Sequence, residues 1–297
     1  MEERSSCVQA KIRVRWVSKQ ACLYAVLSAN VVREVCLYLC QVPQVLSVDG
    51  SEVFWLDTDA KRWQRLCVLS EPISVSLGSV SLLVTLRLLL VSGGYSAKAG
   101  VFEAFNSVYR IDPETGLTEE VGKGLTTPRY AHGAVYHGTS LYVFGGLQQE
   151  RPLKNCEEVP LQGGNSRLVP DMEAGKAWFN PCLHADIVYL CSNGSTQTYT
   201  PFTNQMNSCP LLSLGREAYA VAVLNKGELV VLTSEFRYSW PIGAVSGFEC
   251  QARTVCSRLW SRSGPVIAGD SLFLVSSDRG RTAVQVSVST GAVLRHI

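Results

Sequence analysis

The chain has 297 residues, of which 46% are hydrophobic and 18% charged, with a net charge of +2. That much apolar material can bury a large core, and the near balance of charge excludes the basic footprint that nucleic acid or an anionic membrane requires. The supply of Val, Leu and Tyr, with 24 Gly, favours strands and tight turns over helices.

The chain begins Met1-Glu2-Glu3-Arg4, without the basic and apolar regions of a signal peptide. Lys11, Arg13 and Arg15 alternate, so on a strand they share one solvated face. Residues 8–18 carry strand character with no place in the first repeat, and are expected to pair with the last one and close a ring. The most apolar run, Val75 to Val91, is broken by Ser76, Ser79, Ser81, Thr85 and Arg87. It therefore reads as two strands and a turn, not as a membrane span. The 11 cysteines include no C-x-x-C pair and no nearby His partners, so no zinc site is expected. They read as reduced thiols of a cytoplasmic protein, several of them small core residues, Cys36 and Cys191 among these.

A repeat dominates the rest. Leu141-Tyr142-Val143-Phe144-Gly145-Gly146 is an apolar strand ending in a glycine pair, and Leu89-Leu90-Val91-Ser92-Gly93-Gly94 is a second copy. Weaker copies, counted at Cys40, Ser192, Thr233 and Ser276, give six copies at spacings of 53, 52, 47, 41 and 43 residues. Each is followed by a strand, a turn and another strand. Val53 to Asp59 leads to Trp63, Val108-Tyr109-Arg110-Ile111 passes through Asp112-Pro113-Glu114-Thr115-Gly116, and Val284 to Val288 passes through Thr290-Gly291. Before the glycine-pair strand comes another element, Arg129-Tyr130-Ala131-His132-Gly133, echoed by Arg216-Glu217-Ala218-Tyr219 and more loosely by Arg262-Ser263-Gly264.

Four short strands per repeat cannot bury both faces of one sheet alone, whereas radial stacking buries each sheet against its neighbours. On these residues the sequence resembles the kelch-repeat family. The Arg before the first strand, the Gly-Gly after the second, the Asp-Pro-like turn and Trp63 in a fourth strand carry the resemblance. It implies an all-β fold, a β-propeller of six four-stranded blades. One propeller spanning 1–297 is expected, with blades near 19–66, 73–125, 127–172, 175–214, 215–257 and 260–297.

Motifs for chemistry are sparse. His132 and His137 fall on or beside an inner strand, and His132 is read as a turn or inner-strand residue of the repeat. Gly122-Lys123-Gly124 lacks the spacing of a phosphate loop and reads as a connection between blades. Ser276-Ser277-Asp278-Arg279-Gly280-Arg281-Thr282 fits a single Asp-box, whose Asp and Gly suit a hairpin turn. The four His suggest no pair at one copper site of the galactose-oxidase kind. No metal, cofactor or catalytic set is expected. The resemblance implies a non-enzymatic, cytoplasmic scaffold or adaptor that binds another protein through loops on one face. It also implies a ubiquitin-ligase or cytoskeletal setting. Arg129, Arg216 and Arg262 would converge near the channel and capture an acidic peptide, with Tyr130, Tyr219 and Trp178 as aromatic anchors. In the competing reading the same Arg side chains only bond neighbouring loop carbonyls. The alternative function is a propeller enzyme acting on a sugar, sialidase- or mutarotase-like.

Overall fold

The computed structural model describes residues 46–49, 51–57, 62–73, 79–85, 87–98, 101–192, 195–209, 220–233, 236–242, 249–253, 265–268, 271–275 and 283–296. Strands β1 (Leu46–Asp49), β2 (Glu52–Asp57) and β3 (Arg62–Val68) form a three-stranded antiparallel sheet. Blade I follows, with β4 (Val80–Thr85) and β5 (Leu88–Ser92), a hairpin of β6 (Tyr95–Lys98) and β7 (Val101–Ala104), then β8 (Val108–Ile111) and β9 (Thr118–Glu120). Blade II repeats this plan. It holds β10 (Gly133–His137), β11 (Ser140–Phe144), a hairpin of β12 (Leu147–Gln148) and β13 (Arg151–Pro152), β14 (Cys156–Pro160) and β15 (Arg167–Val169). The two-residue strand β16 (Phe179–Asn180) comes next. Blade III holds β17 (Cys182–His184), β18 (Ile187–Ser192), β19 (Ser195–Thr200) and β20 (Gln205–Ser208). Blade IV holds β21 (Ala220–Asn225), β22 (Glu228–Thr233), β23 (Phe236–Pro241) and β24 (Glu249–Arg253). Blade V holds β25 (Val266–Ala268), β26 (Ser271–Val275), β27 (Ala283–Ser287) and β28 (Val293–His296).

The run Leu141-Tyr142-Val143-Phe144 is apolar throughout because both faces of β11 are buried. Side chains alternate across a strand. Leu141 and Val143 pack with Val80, Leu90 and Val108 of blade I. Tyr142 and Phe144 pack with Val188, Leu190 and Tyr199 of blade III. In β22 the same alternation sends Leu229 and Val231 toward blade III, and Val230 and Leu232 toward Leu272 and Leu274 of blade V. A strand with one face in water could not keep such a run. Each fully buried Leu, Val or Phe contributes roughly 1.5–3 kcal/mol. The ring is therefore held by apolar seams between blades.

The three-stranded sheet completes the circle. Val48 and Val53 pack with Leu89 and Val91 of blade I. On the other side, Leu56 packs with Phe273, Val275 and Ala283 of blade V. First and last sheets thus meet face to face, and the architecture is an all-β propeller.

The number of complete blades departs from expectation. Among the described residues five sheets reach four strands, not six. The residue after β3, Leu69, donates to the carbonyl of Ser51 just before β2, at 2.8 Å. The residue after β9, Val121, makes the same bond to Val108 at 2.7 Å, and Cys209 after β20 bonds Thr196 at 2.9 Å. The same bond joins Leu161 to Thr139 in blade II, at 3.0 Å, so it closes each antiparallel pair of strands. The copy at Leu37 to Cys40 and the closing strand at 8–18 lie outside the described residues, as does the Asp-box at 276–282.

Candidate binding face

The glycine pairs fix where one face of the disc is built. β5 ends at Gly93-Gly94 and β11 at Gly145-Gly146, and each pair turns the chain into a hairpin, β6–β7 or β12–β13. Gly94 donates to the Arg129 carbonyl, and Gly146 to the Lys176 carbonyl, both at 2.8 Å. A Cβ on Gly93 would lie 2.3 Å from the Arg129 oxygen, and one on Gly145 would lie 2.4 Å from the Lys176 oxygen. Both glycines also have φ near +57° to +58°. The motif exists because the next blade's backbone sits where a side chain would be.

Arg129 is wholly buried, at 0% exposure. Its guanidinium donates to the carbonyls of Gly145 (2.7 Å), Asn155 (3.0 Å) and Thr127 (3.2 Å), and forms a short ion pair with Glu157. Glu157 is equally buried and also accepts the N–H groups of Thr126 and Thr127, at 2.6 and 3.0 Å. Burial lowers the proton affinity of Arg129, and Glu157 restores part of it. Of the two sequence readings, Arg129 therefore follows the structural one. Its donors face inward and offer nothing to an acidic peptide. His132 lies just before β10, fully buried, with Nε2 2.8 Å from the Ser92 hydroxyl. Burial, aided by Arg129, lowers its pKa to about 3, so the ring is neutral.

The next blade repeats this arrangement with different residues, and the sequence reading missed it. Lys176 is 1% exposed, and its Nζ donates to the Ser192 carbonyl (2.8 Å), the Ser195 carbonyl (2.9 Å) and the Ser195 hydroxyl (2.8 Å). Gln197 takes the part of Glu157, accepting the Glu173 N–H through Oε1 at 3.3 Å. Burial lowers the Lys176 pKa to about 8. A faint signal was present, since Lys176 falls 47 residues after Arg129 and 40 before Arg216. An Arg-only search passes over it.

What this face presents is aromatic. Tyr130 is tied to the β12–β13 hairpin by paired backbone bonds with Leu147, at 3.1 and 2.7 Å. The Tyr130 ring lies 4.5 Å from that of Tyr95, which opens the neighbouring hairpin, and 6.4 Å edge-on from that of Trp178. Tyr130 is buried between two half-buried rings, so the row crosses from blade I to the segment before blade III. Burial first, then the Glu150 carboxylate and Tyr95, push the Tyr130 phenol above the ordinary range. Glu150 stands exposed at the hairpin tip.

Backbone geometry marks the same place. Trp178, Gln149 and Glu150 have φ of +57°, +49° and +62°, in the left-handed region that non-glycine residues rarely use. Such residues cost roughly 1–3 kcal/mol each and gather at ligand-binding sites. Ala131, the counterpart of Trp178 one blade earlier, has φ +53°. The repeat thus imposes the conformation, but Ala meets it as well as Trp. Trp178 N–H donates to the Ala131 carbonyl at 2.8 Å, Ala220 N–H to the Trp178 carbonyl at 3.3 Å, and β16 pairs in parallel with β21. These bonds knit the starts of three successive inner strands together.

Arg216, Tyr219 and Arg262 lie outside the described residues. At the opposite mouth, His137 Nε2 lies 2.8 Å from Oδ1 of Asp186, whose turn carries Ala185 and Asp186 at φ +46° and +63°. Among the described residues, no group of three or more His, Cys, Asp or Glu is placed to hold a metal ion. No helix there is long and apolar enough to cross a membrane.

Fold and site together define a β-propeller with an aromatic row on its hairpin face. No family model matches the chain, and no curated protein matches it. Among solved structures it is similar to that of YjhT, with a TM-score of 0.62 and 14% identity over 84% of this chain and 96% of that one. That likeness shows the fold, and the kelch resemblance rests on the sequence motifs.

Proposed function

We propose that the chain is a kelch-type propeller that binds a partner protein, without catalysis, through the face bearing the β6–β7 and β12–β13 hairpins. One observation carries this reading. Trp178 is half-exposed at a left-handed position where the equivalent residue of the preceding blade is Ala131. The indole packs in part against the core between blades I and II and leaves the rest of its surface open, and Trp and Tyr are the residues that most often anchor protein interfaces. Hairpins held on a rigid ring are likewise the usual carriers of recognition. The expected acidic-peptide partner is not supported by Arg129, whose guanidinium is wholly buried and bonded to Thr127, Gly145, Asn155 and Glu157. A cytoplasmic adaptor role follows from the family resemblance.

The test is to capture partners with the wild-type chain and titrate the captured protein against variants. Trp178→Ala and Tyr95→Ala should each weaken binding by about tenfold to a hundredfold while cooperative melting is kept. Equal affinity for wild type and both variants would overturn the proposal. A second reading, an enzyme acting on a sugar, is favoured by the His137–Asp186 pair at the other channel mouth. It requires turnover that Asp186→Asn abolishes.

A further inference from the structure

We infer that the hairpin face takes a linear peptide segment presenting a lysine or arginine side chain, held over the Tyr95–Tyr130–Trp178 row and against the Glu150 carboxylate. This rests on the binding reading above and names the chemistry of the partner.

Three observations converge. The rings form a continuous row, with Tyr130 as a buried floor between Tyr95 and Trp178. The faces of such rings carry partial negative charge and attract cations, Arg above all. A full negative charge then stands beside them, since Glu150 is the first charged group whose field acts on the Tyr130 phenol. Among the described residues its carboxylate forms no ion pair, as is true of Glu71, Glu103, Glu119, Glu120 and Glu228, and what sets Glu150 apart is its place on the hairpin that Tyr130 pairs with. Finally, Gln149 and Glu150 occupy the two left-handed positions of the tight β12–β13 turn. Asn-Gly or Asp-Gly would fill those positions without strain. The same pair of left-handed positions recurs at Ala185 and Asp186 in the β17–β18 turn, so the conformation belongs to the hairpin, and Glu150 adds a carboxylate to its exposed tip.

The sign of charge matters. The sequence pointed to an acidic ligand because it showed the Arg residues. The structure turns Arg129 inward and leaves Glu150 outward; Arg151 is exposed on the same hairpin, but Glu150 is the charge that acts on the Tyr130 ring, so at the aromatic row a cation is favoured.

The probe is a phage-displayed library of random linear peptides, panned against the full chain and against three variants. Peptides enriched on the wild type should contain Lys or Arg beside an apolar residue. Trp178→Ala should lose them about tenfold or more. Glu150→Gln should weaken them about threefold to tenfold, with the wild-type affinity falling as salt rises. Glu120→Gln, on the outermost strand β9 of blade I, should bind as wild type. If the selected peptides lack basic residues and bind Glu150→Gln unchanged, yet are lost with Trp178→Ala, the cation inference fails and the binding reading stands. If no peptide is enriched, or Trp178→Ala binds all of them, both fail.

Discussion

Glu157→Gln isolates the charge of a buried ion pair while keeping its shape. The wild-type carboxylate accepts two backbone N–H groups and pairs with Arg129, both side chains at 0% exposure. The amide can still accept through its remaining oxygen but cannot balance the guanidinium. Breaking one side of a buried pair typically costs about 3–5 kcal/mol, because a charge is left in a low-dielectric site. Arg129 keeps carbonyl acceptors at Thr127, Gly145 and Asn155, so the lower end applies, about 3 kcal/mol. For a chain of this size that lowers the melting temperature by about 6 °C. The control is the surface pair of Arg65 and Glu52, in direct contact at 2.8 Å but with the Arg side chain 57% exposed. Exposed pairs contribute about 0–1 kcal/mol, so Arg65→Gln should shift melting by no more than about 2 °C. Thermal unfolding followed by tryptophan fluorescence measures both. If the two variants melt alike, burial does not set the worth of the Arg129 pair and the reasoning is wrong.

Two further outcomes follow from the same geometry. Gly145→Ala should destabilise by at least about 2 kcal/mol more than Gly138→Ala, as read by urea midpoints. Both glycines have φ near +60°, but a Cβ at Gly138 meets nothing within 4 Å while one at Gly145 meets the Lys176 carbonyl. Equal losses would remove the carbonyl contact as the reason for the motif. Lys176 gives a pH dependence. Its native pKa is about 8 against an ordinary 10.5, so between those values the unfolded chain holds a proton that the native chain has released. Stability from this group therefore rises with pH across that window, by about 3 kcal/mol in total. The buried thiols of Cys156 and Cys182, raised from 9.0 to about 12, act oppositely above pH 9, but equally in a Lys176→Met variant, whereas the Cys191 thiol feels the Lys176 charge, so both proteins are compared in a Cys191→Ala background. The difference between wild type and Lys176→Met should rise from pH 8 to 10, and a flat difference would show that Lys176 does not titrate within the fold.

The strand pattern, the glycine-pair corners and the stacked-sheet class were readable in the sequence because they are local. An unbroken apolar run such as Leu141 to Phe144 already says that both faces are covered, and Asp112-Pro113 already says turn. Which neighbour covers which face is a property of the closed ring. So is the fate of Arg129, since its acceptors come from Thr127, Gly145, Asn155 and Glu157, up to 28 residues away. Only packing decides whether a guanidinium at a blade corner points into the channel or into the protein. The same holds for Lys176, which replaces Arg129 in role without resembling it in type, and for Tyr95, Tyr130 and Trp178, 83 residues apart at the extremes, which share a face only once the blades are stacked. The sequence by itself determined the repeat and the chemistry of its turns. The tertiary structure alone decided which of those residues meet water, because burial depends on what the neighbouring blade brings.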